Sequence, residues 1–341
     1  AKDGSSVYKG PYVTKGNNIA AYNKAVTCEG DTIIFHLKKP QGDFNYTVTL
    51  LSFAAVPKDK DNGDAYDNHP YSDGPYMIES YVKKDKLVLV RNPHWSPDTD
   101  SYRPAYPDRI EYLFGIPDSL ITERLIADSG NDQTAVSPDS IDPPKLATIF
   151  NDEALKNRRF NELDPYVRYY AINTKKVPVL KHRQAILAAV DREQLRKIAG
   201  GTYAGDYADG VVKPTIGQDY APTGLWDTLL GKAISPQGDP DYAKQLIADS
   251  GTAFPSPITI DYPKDPTNDK AVASIVASLG KAGIVAKPNG LEPGSYYGVV
   301  LDPAKQGTMS AAGWGPDWLN ASTVLPELFT PAGGFNLSRY N

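Results

Sequence analysis

The chain has 341 residues, with 36 basic and 41 acidic side chains for a net charge of −5, and is 40% apolar and 23% charged. That length accommodates two domains with a substantial core, and the balance is that of an ordinary folded protein. No basic cluster of the kind that grips phosphates is present, which argues against a nucleic-acid partner, and no stretch approaches the roughly 18 uncharged apolar residues of a membrane-spanning helix.

The chain opens on Ala1-Lys2-Asp3-Gly4, without the basic start and apolar run of a signal peptide, and both ends read as cuts inside a longer protein. The single cysteine, Cys28, removes any intrachain disulfide. Its neighbours Thr27 and Glu29 supply no base and no electropositive pocket, so it reads as a small core or strand-edge residue.

The β-branched, apolar run Thr32 to Leu37 predicts a strand. Pro75 to Val82 and Leu87 to Arg91 flank the polar Lys83-Lys84-Asp85-Lys86 and predict a hairpin. Leu87-Val88-Leu89-Val90 is apolar on both faces, which predicts burial on both sides. A strand at Ile110 to Phe114, a helix from Pro117-Asp118-Ser119 through Asp128 and a short strand near Thr134 to Val136 would make one β-α-β unit.

A composition break at Arg159 to Pro165 suggests a boundary, with domains of 1–160 and 161–341. Beyond it, Ile186, Leu187, Val190, Leu195 and Ile198 line one face of a single helix from Arg183 to Ala199, stopped by Gly200-Gly201. Asp239-Pro240 supplies the N-cap and first residue of another helix running to Ser250. A second β-α-β unit runs from a strand at Ile258 to Tyr262 through a helix carrying Val272, Ile275, Val276 and Leu279 to a return strand at Ile284 to Lys287. The fold class is therefore mixed, between α/β and α+β.

Enzyme signatures are missing. Gly224 to Lys232 ends like a phosphate loop, but its glycines are wrongly spaced and Ala233 replaces the hydroxyl residue. His36, His69, His94 and His182 are scattered singly, without a second metal ligand at helical or hairpin spacing. The acidic stretch Asp59 to Asp64 fails as a calcium loop, since its glycine is misplaced and Pro70 stands where the glutamate belongs. Neither a catalytic residue nor a metal or other cofactor is implied.

One segment stands apart, Thr308 to Trp318, with Gly313-Trp314-Gly315-Pro316-Asp317-Trp318 at its end. Glycines around Trp314 allow close backbone approach, the tryptophans offer apolar faces with a polar edge, and Asp317 could meet an ammonium group. Composition equally allows a loop whose tryptophans plug the core and whose Asp317 caps a helix.

Four stretches together resemble the extracellular solute-binding proteins of the peptide/nickel class. They are Asp73-Gly74-Pro75-Tyr76 with Arg91-Asn92-Pro93-His94-Trp95, Arg168-Tyr169-Tyr170-Ala171-Ile172-Asn173-Thr174-Lys175-Lys176, Arg183-Gln184-Ala185-Ile186 with Val190-Asp191-Arg192-Glu193, and Ala312 to Trp318. The resemblance implies a periplasmic-binding-protein-like, two-lobed clamshell, truncated here at both ends. Residues 1–160 would form part of the first lobe and 161–341 most of the second. It also implies a monomer that captures short peptides in a cleft and delivers them to an ABC permease, in an extracellular or periplasmic setting, with the full-length protein anchored to the membrane or secreted. By the same resemblance Asp317 pairs with the ligand's amine, Trp314 lines the pocket beside Gly315 and Trp318, and Tyr169 and Asn173 support the hinge and cleft. Members of the class also carry metal chelates or sugars. Met309 to Asn320 contains no basic residue that could hold a peptide's carboxylate.

Overall fold

In the computed structural model, which describes residues 19–137 and 141–341, the strand-forming runs assemble into three sheets. Helix α1 (Ile19–Ala25) leads into a hairpin of β1 (Val26–Glu29) and β2 (Thr32–Phe35), with Cys28 exposed on β1.

Residues 37–142 form one compact unit. The one-turn helix α2 (Phe44–Thr47) precedes an antiparallel meander of β3 (Tyr76–Val82), β4 (Lys86–Arg91) and β5 (Arg109–Leu113). Lys84 takes the left-handed conformation (φ 67°) that turns β3 into β4. The expected two-sided burial of β4 is not realised. Only Val88 is buried on that strand, and Tyr81, Val82, Tyr112 and Leu113 on its neighbours are exposed.

Helix α3 (Asp118–Ala127) follows as expected, but no strand comes after it among the described residues of this unit. A 3-10 turn at Gly130–Thr134 takes its place, and Asp132 pairs with Arg124 of α3 at 2.6 Å. That ion pair draws the segment back onto its own helix, leaving Val136 exposed.

The rest of the chain forms the second unit, which begins again at residue 143 and not at 161. Helix α4 (Leu146–Asn151) is tied into it: Phe150 stacks on Tyr203 at 4.9 Å, and the Tyr203 hydroxyl donates to Asn151 Oδ1 at 2.9 Å. The composition break at 159–165 is thus an exposed connection inside a unit.

Strand β6 (Val167–Ile172) leads to helices α5 (Leu180–Ala189) and α6 (Arg192–Ala199). The single helix expected over 183–199 is broken because Asp191 turns its side chain onto the Gln194 N–H at 2.8 Å and caps α6 afresh. Arg192 and Glu193 then give their N–H groups to the Pro236 carbonyl. Helix α7 (Pro240–Ala248) is capped by Asp239 as expected.

Strand β7 (Ile258–Pro263), helix α8 (Pro266–Lys281) and strand β8 (Ala286–Leu291) form the downstream β-α-β unit. Asp265 caps α8 with two 2.8 Å bonds, and Val272, Ile275 and Leu279 are its buried face. The return strand starts two residues later than expected, because Ile284 is spent in the core. Pro288 is tolerated on β8 because this is an edge strand.

Helix α9 (Tyr296–Val300), strand β9 (Met309–Trp314) and helix α10 (Leu325–Phe329) complete the unit. The sheet order is β6-β9-β7-β8, with β9 antiparallel to β6 and parallel to β7. One face packs Tyr170, Ile172 and Met309 with α5, α7 and α8, and the other packs Ala171 with Tyr296, Val300 and Leu337.

At the head of β9 the buried carboxyl of Asp261 accepts the Gly307 N–H and, at 2.8 Å, the Asn289 side-chain amide. A Cβ on Gly307 would lie 2.6 Å from Asp261 Oδ1, whereas one on Gly298 of α9 meets nothing within 4 Å. Gly307→Ala should therefore cost about 1–3 kcal/mol by overpacking, while Gly298→Ala should be neutral or mildly stabilising. Urea unfolding of the two variants checks the contrast, and equal stability would contradict it.

Candidate functional site

The β6–β9 ladder decides where the motif residues sit. Val167 lies opposite Trp314, Tyr169 opposite Ala312 and Ile172 opposite Met309. Residues two apart share a face, so Trp314, Ala312, Tyr169 and Val167 belong together. Trp314 and Tyr169 both pack against a small core of Ile216, Val324 and Leu328.

Trp314 is half-buried, with its ring 4.8 Å from that of Phe335. Its Nε1–H donates to the Thr323 carbonyl at 2.9 Å. The Thr323 hydroxyl accepts the Asp317 N–H at 3.1 Å, so one buried residue holds both ends of the Trp-Gly-Pro-Asp turn. Asp317 caps no helix; the nearby 3-10 turn at Ala321–Thr323 is capped by Asn320, through the Ser322 N–H at 2.8 Å. The Ala321 N–H is taken by Asp219 at 2.8 Å.

The Asp317 carboxyl has no hydrogen-bond or ion-pair partner among the described residues. Although the residue as a whole is exposed, partial dehydration of the carboxyl and, after it, the negative charge of Glu327 push its pKa up from the ordinary value. Glu327 is itself held by the Gly334 N–H at 2.7 Å. Two carboxyls with no cation between them form a negative pole that a ligand's ammonium group would relieve.

Gly315 is needed for packing. A Cβ there would lie 3.1 Å from the Pro165 carbonyl and 3.3 Å from the Tyr166 ring, whereas at Gly313 the closest contact is an ordinary 3.6 Å. Trp318 is half-buried next to this turn. Tyr169 is half-buried as well, and burial first, then Tyr297, pushes its phenol up to about 12.

Asn173 lies elsewhere. It bonds the Thr308 carbonyl at the far end of the ladder, six residues from Trp314, or about 20 Å at ~3.3 Å per residue. Its side chain is buried, donating to Gln306 at 3.2 Å and accepting the Lys175 and Lys176 N–H groups. The structure thus gathers Trp314, Gly315, Asp317, Trp318 and Tyr169 and leaves Asn173 apart. Thr323, Glu327 and Phe335 join the site without any sequence signal, because only the fold brings 323–335 beside 314–317.

A family model described as bacterial extracellular solute-binding proteins, family 5 Middle, matches residues 4–336. The chain belongs to this family. Among curated proteins it is similar to the probable D,D-dipeptide-binding periplasmic protein DdpA of Escherichia coli K12, at 24% identity over 271 residues, 75% of this chain and 47% of that protein. Among solved structures, the clavulanic acid biosynthesis oligopeptide binding protein 2 aligns with a TM-score of 0.75 at 25% identity, covering 98% of this chain and 61% of its own. Haemophilus influenzae OppA in complex with RPPGFSPFR gives 0.71 at 18% identity, over 93% and 60%. The Escherichia coli murein tripeptide binding protein MppA gives 0.72 at 19% identity, over 93% and 60%. The chain therefore has the mixed α/β fold of the oligopeptide-binding periplasmic proteins and spans about half to three-fifths of their length.

Gly315→Ala should lower the melting temperature by displacing the Pro165–Tyr166 turn, while Gly313→Ala should leave it nearly unchanged. Thermal melts of both variants check this, and equal melting temperatures would contradict the packing role of Gly315.

Proposed function

We propose that this chain is the ligand-holding part of the substrate-binding component of an ABC importer that captures short peptides and delivers them to a membrane permease. It works by binding and release, without catalysis. The observation that carries the reading is the unpaired Asp317 carboxyl, fixed through Thr323 beside Trp314 and facing the charge of Glu327. A peptide-binding protein that accepts many side chains must recognise what peptides share, namely backbone groups and charged ends. The α-ammonium supplies the cation this pole lacks, and Trp314, Trp318 and Tyr169 provide apolar contact beside it.

Family membership and the peptide-binding relatives support peptide cargo and an extracellular or periplasmic location. No helix of the described residues is long and apolar enough to cross a membrane. The acidic net charge supports the absence of a nucleic-acid partner.

The test is Asp317→Asn, which keeps shape and removes charge. Affinity for free-amine peptides should fall about tenfold or more, the scale of one charge-assisted hydrogen bond at ~1.5–3 kcal/mol. N-acetylated peptides should be affected far less. Equal losses for both would overturn amine pairing, and a glycan or metal chelate found bound by native mass spectrometry would overturn the peptide cargo.

A further inference from the structure

The candidate site leaves Asn173 unused, and Asn173 lines a different cavity. That cavity has a volume of about 320 Å³, the small end of the range for ligand pockets, and Lys175, Lys176 and Arg339 line it as well. None of its lining residues is acidic. Among the described residues, none of the three cations makes an ion pair. Asp302, whose charge reaches Arg339, is itself taken by Lys305 at 3.1 Å and by the Ala304 N–H at 2.9 Å.

Neutral oxygens hold these cations in place and leave their charge unanswered. Arg339 has a left-handed backbone (φ 53°), which residues with a side chain seldom adopt. Its Nε–H donates to Gln306 Oε1 at 2.7 Å, and its Nη2 donates to the Val300 and Leu301 carbonyls at 2.9 and 3.0 Å. Gln306 is fully buried, and the same Oε1 accepts the Asn173 amide at 3.2 Å. Lys176 Nζ donates to the Gln306 carbonyl. Asn173 Oδ1 accepts the N–H groups of both lysines and so shapes the turn that carries them. Thr174 ties that turn to Arg339, its N–H on the Ser338 carbonyl at 2.8 Å and its hydroxyl on the Arg339 carbonyl at 3.1 Å. Burial pushes the Arg339 pKa down from its ordinary value, and Asp302 offsets only part of that.

Bonds to carbonyls explain where each cation sits, but not why three surround one cavity without a counter-charge. Like charges held together repel, and an anion removes that cost. A carboxylate offers one charge and two oxygens in a plane. A phosphate group brings one to about two negative charges on several acceptor oxygens, and so can meet cations on different sides.

We propose that this cavity is a binding site for a phosphate group, held by Lys175, Lys176 and Arg339, with Asn173 and Gln306 as positioning residues. It lies at the end of the β6–β9 ladder away from Trp314, so it stands independently of the peptide reading. A free phosphate ion and a phospholipid headgroup share this chemistry.

Two probes test it on the full chain at low ionic strength: calorimetric titration with inorganic phosphate, and sedimentation with vesicles of phosphatidylcholine with or without phosphatidylglycerol. At least one probe should bind. Lys175→Gln should weaken that binding about tenfold, the scale of one charge-assisted hydrogen bond, and Lys175→Arg should keep most of it. Lys287→Gln removes the same charge from an exposed position on edge strand β8 and should leave binding unchanged. Lys175 is itself exposed, and thermal melts verify that each variant is folded.

Binding of inorganic phosphate without vesicle capture assigns the site to free phosphate. Capture only by the phosphatidylglycerol vesicles, lost in Lys175→Gln, assigns it to a headgroup. Binding of neither probe overturns the proposal. So does an affinity unchanged in Lys175→Gln, or lowered equally in Lys287→Gln, since either leaves only general surface charge.

Discussion

The second unit is organised around a carboxyl that has no cation. Asp261 is buried on β7, and a buried polar group without partners costs several kcal/mol. Its partners are backbone and amide: the Gly307 N–H at the entry to β9 and the Asn289 side chain on β8. The Asp261 carbonyl, in turn, accepts the Tyr296 hydroxyl of α9 at 3.3 Å. One residue therefore fixes three strands and a helix. Because Gly307 has no Cβ, the chain can approach the carboxyl closely enough to begin β9 there.

From that anchor the path to the candidate site is short. Strand β9 runs between β6 and β7, and its register carries Trp314 to the end of the ladder beside Val167. Thr323 then catches the chain, its carbonyl on the Trp314 indole and its hydroxyl on the Asp317 N–H. The Asp317 carboxyl is left without a partner among the described residues. The fold spends its hydrogen bonds on holding Asp317 in place and none on its charge, which is the arrangement a site for a cationic group requires.

Much of this was legible in the sequence, and the reasons for the rest are physical. Helix α8, helix α7 and the β3–β4 hairpin were readable because each is set by local pattern: the spacing of Val272, Ile275 and Leu279, the Asp239-Pro240 start and the polar Lys83 to Lys86 turn. Trp314 and Asp317 stood out by composition, and the family resemblance gave them a role. The break between α5 and α6 was missed because periodicity sees Leu187 and Val190 but not the capping of α6 by Asp191. The strand expected at 134–136 gave way to a tertiary ion pair, Arg124–Asp132. Glu327 and Thr323 carry no local mark as site residues, because only the fold brings 323–335 beside Asp317. The resemblance gave Asn173 a supporting role at the hinge and cleft, and in the ladder it stands at the end away from Trp314.

The central claim is that Asp317 is a partly dehydrated carboxyl kept without a cation until a ligand brings one. Carboxyl-carbon NMR of the labelled chain, titrated with pH and assigned through Asp317→Asn, measures this most directly. In the free protein the pKa of Asp317 should lie above the ordinary aspartate value, because burial and Glu327 disfavour its charge. In this window the raised pKa makes ionisation slightly unfavourable to folding as pH rises, so Asp317→Asn should not lower the melting temperature at neutral pH. Saturation with a free-amine peptide should move the pKa down, since the ammonium stabilises the ionised form. An ordinary value in the free protein that stays unchanged with the peptide bound would contradict the account.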